Sequence, residues 1–367
     1  MTAWESYPAE YRRREVLRIV QAICAGECFA LLGLSGSGKS NLLGFLAARQ
    51  DLLTAIMPEC PHLALVDCNR LPGSKAGDLF HLMCSAIDPT TPPEKPTDAF
   101  TTLEAQVTAY LERNRTLCLL IDRFEKFSGR EQDDEFQALY SNLRALRDSH
   151  KYALTYVTAS RHPLQANSEL AELFFSNTLW LGALGPEDAD WSVRTFCHRH
   201  HLDWDSTEKD RIIHLSGGYP SLLRAVCEAY ASGTALELAS LQEHPAVRHR
   251  LEEFWADRPS QNVIALCALT DNPLLNISLP HTAIDTNALS AKEYLLWQHL
   301  TAHTNQVCEK DDLVRAVWPE DRIYEQGIRD DSLAQLVRRL REKIEPDPSA
   351  PQYIHTIPGR GYRYTPK

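Results

Sequence analysis

Residues 33–40, Gly33-Leu34-Ser35-Gly36-Ser37-Gly38-Lys39-Ser40, satisfy every position of G-x-x-x-x-G-K-[ST]. This octapeptide constrains the chain more than any other stretch. It works only where a strand delivers a Gly-rich turn to the N-terminus of a helix, so that successive backbone N–H groups converge on one polyphosphate. The flanks agree. Phe29-Ala30-Leu31-Leu32 reads as a buried strand, and Asn41-Leu42-Leu43-Gly44-Phe45-Leu46 as the start of a helix. Gly33, Ser35, Gly36, Ser37, Gly38, Lys39 and Ser40 are therefore the candidate nucleotide-binding residues. Lys39 is placed to reach the β- and γ-phosphates, and the Ser40 hydroxyl to ligate Mg²⁺.

Four more apolar runs, near 63–68, 117–122, 153–160 and 178–184, alternate with helical stretches after the first at 29–34. Short continuous apolar runs separated by helices imply a parallel sheet covered on both faces. The expected fold is α/β, a P-loop NTPase sheet, over residues 1–185. Residues 186–256 read as all-helical, with Pro186 near a helix start and Gly217-Gly218-Tyr219-Pro220 breaking the pattern between two helices. Residues 257–285 are Pro/Asn-punctuated and read as a linker or small packing element. Residues 286–367 form a separate small α+β domain.

At 367 residues the chain is long enough for two or three domains. No apolar run approaches the ~18–20 residues that a membrane helix needs, and residues 1–14 lack a secretory apolar core. The ten cysteines lie mostly in apolar stretches, where a thiol behaves as a small buried hydrophobe. No disulfide framework is expected, and the compartment expected is the cytoplasm. His198-Arg199-His200-His201 lacks acidic or Cys companions at ligand spacing and reads as a solvated helix end.

Leu117-Cys118-Leu119-Leu120-Ile121-Asp122 is an apolar strand ending in a carboxylate. After a phosphate loop such an Asp is a second metal-site residue, so Ser40 and Asp122 are the expected Mg²⁺ pair. Asp122, Glu125 and Arg161 are the candidate catalytic residues; Arg161 follows the fourth strand, whose polar end would face a γ-phosphate. Position 123, where many AAA+ ATPases carry the Glu that polarises water, holds Arg123, so hydrolysis is expected to be slow or absent. The order of these motifs, with Gly218-Tyr219-Pro220 as a G-x-P element, resembles the STAND class of AAA+-related signalling ATPases over about residues 10–256. The resemblance implies a helical lid at 186–256, Pro220 against the nucleotide, and ATP or ADP with Mg²⁺ as ligands. No Arg occurs between His162 and Trp180, where ring-forming AAA+ proteins usually place an arginine finger. Two features depart from the class. Tyr11-Arg12-Arg13-Arg14-Glu15 occupies the place of its N-terminal signature, and no long repeat array is present.

The net charge of −11 argues against general coating of nucleic acid. Residues 338–367 nevertheless hold seven basic residues against three acidic ones. Ser290 and Glu293 open a capped helix, Lys310 to Trp318 form a second, and Asp330 to Ile344 a third with Leu333, Leu336, Val337, Leu340 and Ile344 on one face. Residues 353–364 then read as a β-hairpin turned at glycine, completing a winged helix. Leu340-Arg341-Glu342-Lys343-Ile344 and Gly359-Arg360-Gly361-Tyr362-Arg363-Tyr364 resemble the OmpR/PhoB-type transcriptional regulatory domain over about residues 286–366. That resemblance implies a third helix in the major groove and a wing Arg in the minor groove of double-stranded DNA. By position, Arg339 matches a base-reading residue, Arg338 and Arg341 groove or phosphate contacts, and Arg363 the wing Arg. Gln335, on a face of the helix free to meet DNA, and Arg360 in the wing are further DNA-binding candidates.

The combined expectation is a nucleotide-controlled transcription regulator, in which ATP binding and slow hydrolysis switch homo-oligomer assembly and DNA binding. Three alternatives stay open, one of them a primary ATPase enzyme, which Arg123 disfavours. Another is a STAND-type protein-interaction switch in defence signalling with an unidentified signalling partner, and the last is a DNA-remodelling or initiator ATPase.

Overall fold

The computed structural model describes residues 3–56, 60–71, 75–90, 99–113, 116–127, 134–165, 168–277, 289–318, 330–345 and 353–365, with a few single positions between. The chain divides into two compact units, residues 1–278 and 279–367. Among the described residues no helix is long and apolar enough to cross a membrane.

The first unit opens with α1 (Arg13–Cys24), β1 (Phe29–Leu32), α2 (Lys39–Ala48), α3 (Gln50–Ile56) and β2 (His62–Asp67). It continues through α4 (Ala76–Ile87), α5 (Ala99–Arg113), β3 (Leu117–Asp122), α6 (Asp134–His150), β4 (Leu154–Ser160) and β5 (Thr178–Trp180). The five strands form one parallel sheet in the order β2-β3-β4-β1-β5. Every residue of β1, β3 and β4 is buried. That explains their unbroken apolar runs, because inner strands of a parallel sheet meet helices on both faces. One face carries α4, α5 and α6 through Leu79, Met83, Leu103, Val107 and Leu143; the other carries α1 and α2 through Ile19, Ile23, Leu42 and Phe45.

The fifth strand is shorter than its apolar run. It ends at Trp180 because Gly182 meets a different neighbour: a Cβ there would lie 1.9 Å from the Cys267 carbonyl oxygen. Leu184 N–H in turn donates to Gly218 O at 2.9 Å, so the chain leaves the sheet for the helical region.

That region holds α7 (Pro186–His200), α8 (Ser206–Ser216), α9 (Pro220–Ala231), α10 (Leu238–Glu243) and α11 (Pro245–Ala256). Proline opens α7, α9 and α11, where its fixed φ fits and its missing N–H costs nothing. Asp205 and Glu208 cap α8 reciprocally, and Gly217 at φ 58° closes it. The stretch from 257, read from sequence as a linker or small packing element, folds into α12 (Gln261–Leu266) and α13 (Pro273–Ile277). Ile264, Cys267, Leu269, Leu274 and Leu275 are buried in the same core as Val226, Val247 and Phe254. Residues 278–288 lie outside the described residues.

The second unit contains α14 (Ala291–Ala302), β6 (Val307–Glu309), α15 (Lys310–Val317), α16 (Asp330–Ile344), β7 (Ile354–Ile357) and β8 (Gly361–Tyr364). Its antiparallel sheet has the order β6-β8-β7. Leu333, Leu336, Val337, Leu340 and Ile344 of α16 are buried with Leu296 and Leu300 of α14, as their spacing requires. Three helices and a β7–β8 wing make a winged helix. The third strand, β6, was not visible in sequence, since three residues are too few to show alternation.

Candidate functional site

The sheet order assembles the phosphate site. β4 lies between β1 and β3, so residues after all three strands meet at one end: the P-loop after β1, Asp122 at the end of β3, and Arg161 just past β4. Gly38, at φ 93°, turns the loop into α2 and could not carry a side chain without strain. Lys39 folds back over the loop, donating to Gly33 O at 2.5 Å and Leu34 O at 3.2 Å. Its pKa is lowered to about 8, first by burial; Glu125, Asp122 and Asp257 oppose that shift, while Arg161 adds to it. Asp122 is buried and hydrogen-bonded to Ser40, so the two residues expected to share a metal ion are in direct contact. Burial raises the Asp122 pKa, and the Ser40 bond and Arg123 act against it. Asp67 ends β2 in register with Asp122 and adds a second carboxylate at that edge. Arg123 adopts φ 56°, and its N–H donates to Asp122 Oδ1 at 3.0 Å.

The helical region closes on the loop from above. Tyr219 O–H donates to Ser35 O at 2.6 Å, and Ser221 N–H donates to Gly36 O at 3.2 Å. The contact at Gly36 is close: a Cβ there would lie 2.1 Å from Ser221 Oγ, at a backbone φ of 79°. Pro220 borders the same cleft beside Gly38 and Ser40. At the end of α11, Asp257 is buried, and its Oδ2 accepts the Ser35 N–H at 2.5 Å. Its Oδ1 accepts Arg161 Nη1 at 3.0 Å, and Arg161 Nε lies 3.5 Å from Glu125 Oε1. A carboxylate from the helical region thus holds an amide of the phosphate loop together with the arginine expected to face a γ-phosphate.

All the sequence-derived residues of this site converge, and the structure adds four groups that the sequence did not reveal. Arg12 is 2% exposed, and its Nη2 donates to Ser37 O at 3.1 Å and Gly182 O at 2.9 Å; its backbone N–H donates to Asp188 at 3.0 Å. Asp257 and Tyr219 are the second and third. The fourth is an aromatic cleft beside the loop, where Tyr7, Tyr11, Trp191 and Leu223 adjoin Asn41 and Pro220. The Tyr7 ring lies 4.6 Å from Trp191 and 4.7 Å from Tyr11. His198 to His201 sit exposed at the end of α7, and the His200 ring stacks on Phe196 at 4.2 Å.

In the second unit, Gln335, Arg338 and Arg339 are exposed on α16, opposite its buried face. Arg338 pairs with Glu342 at 3.1 Å. Arg341 is turned inward: it donates to Ile354 O at 2.6 Å and Thr356 Oγ1 at 2.9 Å, tying the helix to β7. Arg360 lies exposed in the turn at the wing tip, 3.7 Å from Glu309. Arg363 lies in the central strand β8, half-buried, opposite Val307 and His355.

Residues 285–364 match the family model described as "Transcriptional regulatory protein, C terminal". The transcriptional regulatory protein YvrH of Bacillus subtilis is 40% identical over 79 residues, which are 22% of this chain and 32% of that protein. The uncharacterized transcriptional regulatory protein YcbL of B. subtilis is 31% identical over 118 residues, which are 32% of this chain and 50% of that protein. The chain thus spans between a third and a half of the curated relatives it matches. A Walker-type ATPase of Pyrococcus abyssi is similar over 99% of this chain and 97% of its own, at 14% identity and a TM-score of 0.45. The second unit is a transcriptional-regulator DNA-binding domain, and the first has a P-loop ATPase-like fold.

Proposed function

We propose that this chain is a nucleotide-controlled DNA-binding transcription regulator, with a STAND-like switch in its first unit. The observation that carries the reading is the Asp257 carboxylate on Ser35 N–H and Arg161. An anion-binding loop takes an anion, and here the anion belongs to the lid itself. A nucleotide would supply the competing phosphate charge, with Mg²⁺ on Ser40 and Asp122. The residues present fit such a ligand. Lys39 and the loop amides would hold phosphate, and the Tyr7, Tyr11 and Trp191 cleft offers apolar rings to a flat base.

The chain's own residues then set two states. With Asp257 engaged, α11 is tied to the loop and the lid is held down. With Asp257 released, Arg161 and the Ser35 amide are given to phosphate, while Tyr219 and Ser221 keep α9 on the loop backbone. Charge-assisted hydrogen bonds contribute about 1.5–3 kcal/mol each. Exchanging two of them between partners is enough to move a two-state equilibrium by more than tenfold. With Arg123 after Asp122, slow turnover suits a switch whose state outlasts a single encounter with ligand.

On DNA, Arg339 and Gln335 would read base edges from α16, with Arg338 and Arg360 on phosphate or groove. Arg341 is committed to β7 and serves to set the wing against the helix. The test is Asp257→Ala. Removing the internal anion should tighten ATP binding by about tenfold or more, because every ~1.4 kcal/mol of relieved competition is tenfold. A weaker ATP affinity in that variant, measured by calorimetry, would make Asp257 a supporting group and end the switch reading.

A further inference from the structure

A second cluster of candidate ligand side chains lies in the winged-helix unit, on α14 and β6. His299 and His303 stand one turn apart at the end of α14, and Cys308 sits in β6 five residues later. One ligand atom from each of the three lies within 4.8 Å of the others. This is the closing distance of a metal site. Ligands about 2.0–2.3 Å from a tetrahedral ion stand roughly 3.5 Å apart, so small side-chain rotations complete the shell. Asp312, in the first turn of α15, lines the same concavity and offers a fourth, oxygen ligand.

Two details separate this group from a chance meeting of polar side chains. His303 Nδ1 is 2.8 Å from His299 O. With Nδ1 donating, the tautomer is fixed and the lone pair left on Nε2, the arrangement that orients metal-bound imidazoles. Cys308 is only 4% exposed, His299 is half-buried and His303 exposed, so the three grade from the protein side to solvent. The ion would enter from the open side and meet a thiolate at the back.

We propose that His299, His303 and Cys308, with Asp312 or water completing the shell, bind a zinc-class divalent ion. Two imidazoles, one thiolate and one oxygen suit Zn²⁺ by ligand type, whereas Mg²⁺ and Ca²⁺ would require an all-oxygen shell. On binding, the Cys308 thiol loses its proton to solvent as the sulfur–metal bond forms. The bond would pin the end of α14 to β6 and to the first turn of α15. It would thereby stiffen the frame on which α16 packs through Leu296 and Leu300. This is a structural clamp, separate from the Mg²⁺ expected at Ser40 and Asp122.

The experiment uses the full chain stripped with chelator and titrated with Co²⁺, then Zn²⁺. One equivalent of Co²⁺ should give intense tetrahedral visible bands and a thiolate-to-metal band in the near ultraviolet, both bleached by one equivalent of Zn²⁺. Cys308→Ser should lose the thiolate band. His303→Gln, an exposed position whose change spares the core, should lose the one-equivalent uptake with an unchanged circular dichroism spectrum. Cys24→Ser should change nothing. Absence of micromolar uptake by the native chain, or a full thiolate band in Cys308→Ser, would overturn the assignment. So would preference for copper with no Zn²⁺ competition.

Discussion

Lys39 shows how much a single side chain here depends on its surroundings. Held against two carbonyls and buried, its ammonium has a pKa of about 8 in the free protein. A phosphate bound beside it favours the charged form and raises that value. Binding is then indifferent to pH below about 8. Above it a proton must be taken up with the ligand, and affinity falls by up to tenfold per pH unit until the bound-state value is reached. Calorimetry at pH 7 and 9, in buffers of different ionisation enthalpy, should show weaker binding and proton uptake at pH 9. Equal affinity without uptake would mean the amine is not the phosphate partner. The loop that carries Lys39 was legible in sequence because its geometry is local, one strand, one turn and one helix end in eight residues. Asp257 was not, since it meets Ser35 across 222 residues. Arg12 was seen only as a basic run; that its guanidinium is buried against Ser37 and Gly182 depends on tertiary packing alone.

Among the elements, α14 and α16 are joined by an ion pair between a buried carboxylate and an exposed amine, Glu293 and Lys343. Glu293 is buried, accepts the Ser290 N–H at 2.8 Å and pairs with Lys343 at 2.7 Å. Burial opposes its ionisation, yet Lys343 and Ser290 outweigh burial and its pKa lies below the ordinary value. A depressed carboxylate stabilises the fold above its unfolded pKa, about 4.3, and that contribution is lost as pH falls through the folded value. The winged helix should therefore loosen on acidification below about pH 4.3. Lys343→Ala leaves a buried carboxylate without its cation and should destabilise the unit by about 1–3 kcal/mol. Hydrogen exchange along α16 measures this directly, and unchanged protection at neutral pH would show that the pair contributes nothing. The sequence showed Ser290 and Glu293 as a cap, which they are, because a capping box spans only four residues. It could not show that the same Glu reaches a Lys fifty positions on. The same limit explains residues 257–277. Their weak periodicity reflects helices of five and six residues, too short for a stripe, and their burial is visible only against α9 and α11.

For the whole molecule, the proposed function turns on coupling between a nucleotide on the first unit and DNA on the second. The chain carries a net charge of −11 while Arg338, Arg339 and Arg360 stand exposed on the second unit. Affinity for DNA then rests on a few phosphate neutralisations, each steepening its fall with salt. Arg339→Ala should relax base preference by about 1–3 kcal/mol at one position. Arg360→Ala should weaken all sequences alike and flatten the salt slope by about one unit. Nucleotide control adds a stricter demand, because coupling between two bound ligands is reciprocal. If ATP changes affinity for the preferred duplex by some factor, that duplex must change affinity for ATP by the same factor in the same direction. Typical couplings are about 5–150-fold. Lys39→Ala, which should not bind ATP, ought to retain only the nucleotide-free DNA affinity, whatever ATP is added. Asp257→Ala, with its internal competitor gone, should reach the ATP-bound DNA affinity at lower ATP. Measuring DNA binding with and without ATP in the native chain and both variants closes the cycle. Identical DNA affinity in all six conditions would leave two independent modules on one chain and remove the regulator reading, while leaving the P-loop and the winged helix each to its own ligand.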